Sequence, residues 1–578
     1  MQDHSPASAT EAGPSEADCA REPIHLSGAI QPHGYLLSCT LPDWTVRQAS
    51  ANVADLLDMP ATEVIGRSLR EHVADDVLEP LLEAIDLLEP GASPQRAAIG
   101  NIGTLAHLCD IGVHVANGLV HLELEPRAVT STRQTPTVVA QRMIARVTAA
   151  PDMRGFHQRT AEEIRQLTGY DRVMVYRFRH DDAGEVIAEA RADDMEPFLG
   201  LRYPASDIPP QARALYVRNR IRVIPDAQYA PVPIVPGRDD QGAPLDLSQH
   251  ALRSVSPVHL EYLRNMGVAA SMSISIICGG RLWGLIACHH REPRLVPPAL
   301  RAAADMFSLF VSMRVSAAEQ ALVSQQEEHA REVRERLALR LSGPDDVSIA
   351  LAKALPLVAE MLPVDGVALR IDGQWQAHGR TPALAGLSRA LEWARARGVE
   401  RLPHAAQVQD WAMPDANDGL AGVLAIPFGR RDDWLLYFRC EQVEDVVWAG
   451  DPTKPMVPTD DGVRIAPRKS FSSWRETVRG QSLPWTEADR SVAERLRWLL
   501  QERPWQPLPH ENEVGNVRDM RLFRRRHVIA EQKSRLDQLG ALLDGLGHLE
   551  DAQTARIGER IAALEAELRQ LMGSDSMT

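Results

Sequence analysis

Ser271-Met272-Ser273-Ile274-Ser275-Ile276 alternates polar and apolar residues at a period of two. Successive side chains of a β-strand point to opposite faces, so this stretch reads as a strand with one apolar face and one face all of serine. Gly279-Gly280 follows, a dipeptide that supplies the positive φ angles of a tight hairpin, and then comes a second apolar run, Leu282 to His289. Two antiparallel strands are expected, turning Ser271, Ser273 and His289 toward one cavity.

On the N-terminal side of this hairpin a helix is predicted over Phe156 to Thr168 and a strand over Arg172 to Phe178, giving a unit from about 137 to 315. Before it, residues 23–130 alternate short apolar runs with turn residues, the pattern of a small mixed α/β domain. Residues 1–22 are rich in Ser, Ala, Pro, Glu and Asp and read as a flexible arm. After it, Met306, Leu309, Phe310, Met313, Val323, Val333 and Leu337 recur at helical spacing until Gly343-Pro344, predicting one helix over 298–341. At 1.5 Å per residue such a helix is about 60 Å long, suited to a spine between domains or a dimer seam. A third α/β unit spans 345–503, with strands at Gly366 to Ile371, Gly422 to Pro427 and Trp434 to Arg439 and a closing helix from Glu487. Within it, Trp448 to Trp485 is a long excursion rich in Pro, Gly, Asp and Lys, of the kind that is functional or disordered. Beyond Pro504, Leu536, Leu539, Leu543 and Leu546, then Ile557, Ile561, Leu564, Leu568 and Leu571, step by three and four and predict helical or coiled-coil seams that need a partner.

Composition narrows the function classes. The 578 residues, at roughly 150 per domain, indicate about four units. With 63 Lys+Arg against 78 Asp+Glu the net charge is −15, which argues against a nucleic-acid partner and against an anionic membrane. No run of about 18 apolar residues spans a bilayer, and the acidic first residues lack a secretory pattern, so a cytoplasmic location is expected. Cys19, Cys39, Cys109, Cys278, Cys288 and Cys440 are scattered without C-x-x-C pairs, as reduced thiols are. His289-His290 has no third ligand at zinc-like spacing after it, so no metal site is expected.

Four segments carry a family resemblance. Cys19 stands ahead of Pro23-Ile24-His25 and Ile30-Gln31-Pro32-His33-Gly34. Tyr203-Pro204-Ala205-Ser206-Asp207-Ile208-Pro209 is the second. Arg253-Ser254-Val255-Ser256-Pro257-Val258-His259 with Tyr262-Leu263 and Met266-Gly267 is the third. Trp448-Ala449-Gly450, Lys454-Pro455 and Pro467-Arg468-Lys469-Ser470-Phe471 make the fourth. In this order and at these separations, about residues 15 to 500 resemble a bacterial phytochrome, a red/far-red photoreceptor. The implied fold is α+β and multidomain: PAS and two GAF-like antiparallel-sheet domains, GAF and PHY, joined by long helices, with a helical or coiled-coil C-terminus.

The resemblance implies biliverdin, a linear tetrapyrrole, held by a thioether to Cys19, with the arm passing through or under a loop of the second domain. Arg222 and Arg253 would clamp its two propionates, and Ser256, Ser271 and Ser273 would donate to it. Asp207 would meet the cationic pyrrole nitrogens, with Ile208, Pro209 and Tyr216 beside it; taken alone, Asp207 also reads as a turn or helix cap before Pro209-Pro210. His259 would stack near the inner rings and His289 would bond the D-ring carbonyl. Tyr176, Tyr203 and Tyr262, with Met174, Phe198 and Met272, would wall the rotating ring. In the tongue of the PHY unit, about 440–485 with Trp448, Arg468 and Ser470, Arg468 would pair with Asp207, and the tongue would exchange strand for helix when that pair breaks.

The output is expected to be conformational, not enzymatic. It would pass along the long helices to a homodimeric C-terminus and on to an unidentified downstream signalling protein or response regulator. Only about 75 residues follow the PHY unit, too few for a transmitter with its ATP-binding domain, and no nucleotide boxes are present. Two alternatives stay open: a light-regulated histidine kinase-like transmitter with a divergent minimal C-terminus, using His527, and a chemical sensor whose GAF pocket takes a cyclic nucleotide or other small ligand.

Overall fold

The computed structural model describes residues 22–502, apart from the short segments 89–93, 104–107, 128–134, 344–346, 399, 401, 412–418, 430–431, 452–455, 460–461 and 466–472. Cys19, Arg468, Ser470, His527 and the seams beyond Pro504 lie outside the described residues. Among those described, no helix is long and apolar enough to cross a membrane.

The first domain is an antiparallel sheet in which Tyr35–Cys39 lies between Val46–Ser50 and Leu119–Pro126, followed by Cys109–Ala116 and Gln95–Gly100. Trp44, Leu56, Leu69 and Leu122 are fully buried in its core. The sheet takes in one strand from outside the domain and, beyond it, the domain's own first strand. Val232–Val235, from the second domain, pairs with Val46–Ser50, and Ala29–Ile30 pairs with Val232–Val235. On its other side Ala29–Ile30 is bonded to the same second-domain loop further along: Gln31 N donates to Leu252 O at 2.8 Å and Ser254 N to Ala29 O at 2.9 Å. The N-terminal segment is therefore threaded through the loop between Ile224 and Pro257.

The serine stretch forms the strand Ala270–Cys278, paired with Arg281–His290 so that Ser271 faces His289 and Ile274 faces Ile286. Gly279 and Gly280 take φ of 56° and 74° at the turn, as a two-residue hairpin requires. Met272, Ile274 and Ile276 sink into the core with Phe156, Phe307 and Val311. The serine face departs from the open cavity wall expected. Ser275 is fully buried and donates to the Tyr216 carbonyl at 2.7 Å, and Ser273 is buried too. The helix Pro210–Arg218 packs on this face, and the Ser275 hydroxyl beneath it finds a backbone acceptor, as buried polar groups do.

The spine helix runs Pro298–Arg340, 43 residues. Its expected single seam splits in two. Phe307, Val311 and Val315 pack into the second domain, while Ala330, Val333 and Leu337 are buried further along, where Gln326 bonds Asp489 and His329 meets the Glu360 carbonyl. Met306, Leu309, Met313 and Val323 are exposed, Met313 at 71%.

In the third domain Asp433–Cys440 lies between Gly366–Ile371 and Leu420–Phe428. Arg439 fixes the closing helix Glu487–Gln501: it pairs with buried Asp489 at 3.0 Å, lies over the Trp485 ring at 3.9 Å and donates to Pro363 and Pro484 carbonyls. Each of the three nitrogens of that buried cation has an acceptor in reach, the condition under which a buried pair holds. The excursion forms paired strands. Glu444–Ala449 and Ser473–Val478 make an antiparallel pair, with Met456–Thr459 and Gly462–Ile465 paired between them. Glu444–Ala449 also lies parallel to Arg202–Tyr203, with Trp448 beside Arg202, so that one sheet of eight strands spans the second and third domains. Arg202 pairs with Glu444 at this junction.

Candidate functional site

Between the Pro210–Arg218 and Pro257–Asn265 helices lies a cleft of about 1090 Å³, open volume included. Its walls bring together residues from all along the sequence. Asp207, Ile208, Pro209 and Tyr216 come from one segment, Arg253, Ser256, His259 and Tyr262 from another, and Arg222 from the strand Ile221–Ile224. Glu22 and Ile24, at the start of the threaded segment, complete it, and Ser256 Oγ donates to Glu22 at 3.1 Å.

The charge of this cleft is its most informative property. Arg222 and Arg253 are 8% and 7% exposed. Among the described residues their hydrogen bonds go to backbone carbonyls alone: Arg222 to Ala251 at 2.9 Å and to Arg253, and Arg253 to Ile24 at 2.8 Å, while Arg253 Nε has no partner. Burial, and then the neighbouring Arg222, push the Arg253 guanidinium down to about 9, and burial lowers Arg222 as well. Glu123 and Asp246 act on these cations through space, but buried cations with no hydrogen-bonded carboxylate are costly and favour an anionic ligand.

Neutral and aromatic groups line the remainder. His259 stacks on Tyr262 with centroids 6.0 Å apart, and Tyr262 Oη donates to Asp207 at 3.0 Å. Burial, with Arg222 adding to it, pushes His259 down to about 4. Tyr176, Tyr203, Ser271, Ser273 and His289 do not line the cleft. Tyr176 and Tyr203 sit 5.8 Å apart in an adjoining apolar cluster with Met174 and Phe198, into which Ala449 of the excursion also packs. Met272 belongs to the helix-side core. His289 is buried with Nδ1 unpartnered among the described residues, and burial and then Arg172 push it down to about 3.

Sequence reasoning missed Glu22, Ile24 and Gly184. A Cβ at Gly184 would stand 1.6 Å from the Tyr176 ring, so only glycine lets that ring lie where it does. A lone glycine opening a strand hints at such a close approach.

The buried histidines set an acid limit. Below their ordinary 6.5, the unfolded chain takes up protons that the folded site refuses, until about 4 for His259 and about 3 for His289. Their contribution to stability is complete above 6.5 and is lost as pH falls toward 4, each histidine giving up about 1.4 kcal/mol for every pH step of one across that window. His33, His114, His121 and His157 are lowered by burial in the same way and add to the loss, so the urea midpoint should drop steeply there, and a level profile would contradict the burial of these histidines as a group.

Family models match in sequence: a PAS fold over residues 19–127, a GAF domain over 152–315 and a phytochrome region over 330–504. The chain is 38% identical to a bacteriophytochrome of Pseudomonas aeruginosa, over 96% of this chain and 75% of the relative. It is 33% identical to one of Xanthomonas campestris pv. campestris, over 98% and 88%. Against cyanobacterial phytochrome B of Nostoc the identity is 35%, over 83% of this chain and 65% of that one, so part of that relative has no counterpart here. Among solved structures, a bacteriophytochrome from the photosynthetic bacterium R. palustris superposes with a TM-score of 0.72 at 35% identity, over 84% of this chain and 98% of that chain. The Stigmatella aurantiaca phytochrome photosensory core module gives 0.71 at 36%, over 83% and 97%. With its PAS, GAF and PHY domains in that order, the chain belongs to the bacteriophytochromes, a family of light photoreceptors.

Proposed function

We propose that the chain senses red and far-red light through biliverdin seated in the GAF cleft and joined by a thioether to Cys19. The observation that carries this reading is the pair of buried guanidinium groups, Arg222 and Arg253, facing a mostly apolar cleft with backbone carbonyls as their described partners. A flat, conjugated dicarboxylate suits such a lining: its acid groups neutralise the arginines and its rings lie against Ile208, Pro209 and Tyr262.

Bound biliverdin supplies the red absorption and the rotation of its terminal D ring about a methine double bond. Arg222 and Arg253 fix its propionates, with Ser256 donating beside them. Asp207, oriented by Tyr262, balances the positive pyrrole nitrogens, and His259, neutral through burial, lies against the inner rings. His289, Tyr176 and Tyr203 hold the far end of the site, where Ser271 and Ser273 add hydroxyls from the strand behind. Gly184 leaves Tyr176 room to answer a change of the ring beside it. The Glu444–Ala449 strand carries that change outward. Arg468 pairs with Asp207 in one state, and the tongue around Trp448, Arg468 and Ser470 refolds when the pair is lost. The spine helix passes the change to a homodimeric helical output that acts on a signalling partner, with the exposed Met306, Leu309 and Met313 as its dimer seam.

Mixing the purified whole chain with biliverdin should give a green protein that keeps about one pigment per chain through gel filtration. Pigment that elutes apart from the protein would count against the cleft as its site.

A further inference from the structure

A second chemical cluster lies where the first domain meets the loop that encloses the N-terminal segment. His114 and His121 face each other across the strands Cys109–Ala116 and Leu119–Pro126, and His250 arrives from the loop. All three are fully buried. Their ring centroids are 4.4 to 4.8 Å apart, and one nitrogen from each lies within 4.8 Å of the others. His121 Nδ1 meets Ser38 Oγ at 2.8 Å. Both ring nitrogens of His114 and both of His250 have no hydrogen-bond partner among the described residues.

Three fully buried imidazoles bring together polar groups that packing alone does not satisfy. Each brings a donor and an acceptor, and buried polar groups are otherwise almost always satisfied. A common acceptor of nitrogen lone pairs resolves the deficit, since a metal ion takes one from each ring. We propose that His114, His121 and His250 form a site for one divalent transition-metal ion, zinc foremost, which ties the loop to the first domain. Three histidines with an open fourth position are an established ligand set for zinc. With metal–nitrogen bonds of about 2.0 Å, tetrahedral ligand nitrogens stand about 3.3 Å apart, so nitrogens now as much as 4.8 Å apart must turn toward one another as the ion binds. Ser38 Oγ accepts from His121 Nδ1–H and leaves Nε2 for the metal, at the expense of that atom's 3.3 Å contact with the Ala116 carbonyl. Arg253 opposes added positive charge, whereas Asp246 acts on both His121 and Arg253 and offsets it.

The site is independent of any pigment. Its sequence signal is faint, because His250 stands far along the chain from the other two and comes near them only through the threaded topology. Its structural consequence is local: a metal there would fix the loop three residues ahead of Arg253.

The test is zinc content. The whole chain is stripped with chelator, incubated with excess zinc chloride, gel-filtered and measured by plasma mass spectrometry. The wild type should retain about one zinc per chain, and His250→Leu and His114→Leu about a tenth of that or less. Wild type that retains about a tenth or less, or variants that retain as much as wild type, would overturn the proposal. Should a variant fail to fold, zinc-edge X-ray absorption of the wild type decides the matter. Imidazole nitrogen scattering at about 2.0 Å supports the site, and sulfur at about 2.3 Å, placing zinc on cysteine, refutes it.

Discussion

Cys19→Ala should take up biliverdin and yet release all of it in acid denaturant, where the wild type keeps its pigment on a denaturing gel. The thiolate is the nucleophile in thioether formation, so the attaching cysteine needs access and an easily lost proton. The described thiols lack the easily lost proton, and Cys39, Cys109 and Cys288 are buried as well. Burial pushes Cys39 up to about 12 and Cys109 and Cys278 up to about 11, and it raises Cys288 and Cys440 as well. None of them lines the cleft. Glu22 and Ile24 do, and Cys19 stands three residues before Glu22, a reach of about 10 Å for an extended chain. Pigment that stays on the Cys19→Ala chain through denaturation would move the attachment elsewhere.

In the Cys19→Ala chain, where the pigment binds reversibly, Arg253→Ala should lower biliverdin affinity about 10- to 100-fold, the equivalent of one charge-assisted hydrogen bond at roughly 1.5–3 kcal/mol. The pigment-free protein should not lose stability in proportion. Arg222 and Arg253 repel each other in the empty cleft, and removing one relieves that repulsion while giving up the 2.8 Å bond to the Ile24 carbonyl. Affinity and stability thus part company, which a purely structural arginine would not allow. Biliverdin dimethyl ester supplies the control: with its acid groups capped, it should distinguish wild type from Arg253→Ala far less. Equal losses for the free acid and the ester would remove the propionate assignment. Both measurements need only absorbance titration and a melting curve.

How much of this was legible in the sequence depends on distance along the chain. Local patterns read well. The serine alternation marked the strand Ala270–Cys278, the glycine pair its turn, and the apolar recurrence the helix Pro298–Arg340. The same local reading could not tell which apolar residues find a neighbour. Met306 and Met313 share the spacing of Phe307 and Val311, but only the latter meet a domain. The serine face reads as a cavity wall because period two says that two faces differ and not what covers each. The helix Pro210–Arg218 decides that. Least legible were contacts across the longest separations: the threading of Ala29–Ile30 through the second-domain loop, the parallel pairing of Trp448 with Arg202, and the meeting of His250 with His114 and His121. Such pairings follow from topology, and no local propensity encodes them. The site residues named from family motifs fall into two groups in space. Asp207, Arg222, Arg253, Ser256, His259 and Tyr262 share the cleft, whereas Tyr176, Tyr203, Ser271, Ser273 and His289 stand behind or beside it.

Light itself gives the most direct test. The whole chain loaded with biliverdin should be irradiated alternately with red and far-red light while its absorption spectrum is recorded. The account predicts two interconverting spectra, one absorbing in the red and one in the far-red, that exchange reversibly over repeated cycles. A pigmented protein whose spectrum stays unchanged under both colours would contradict it.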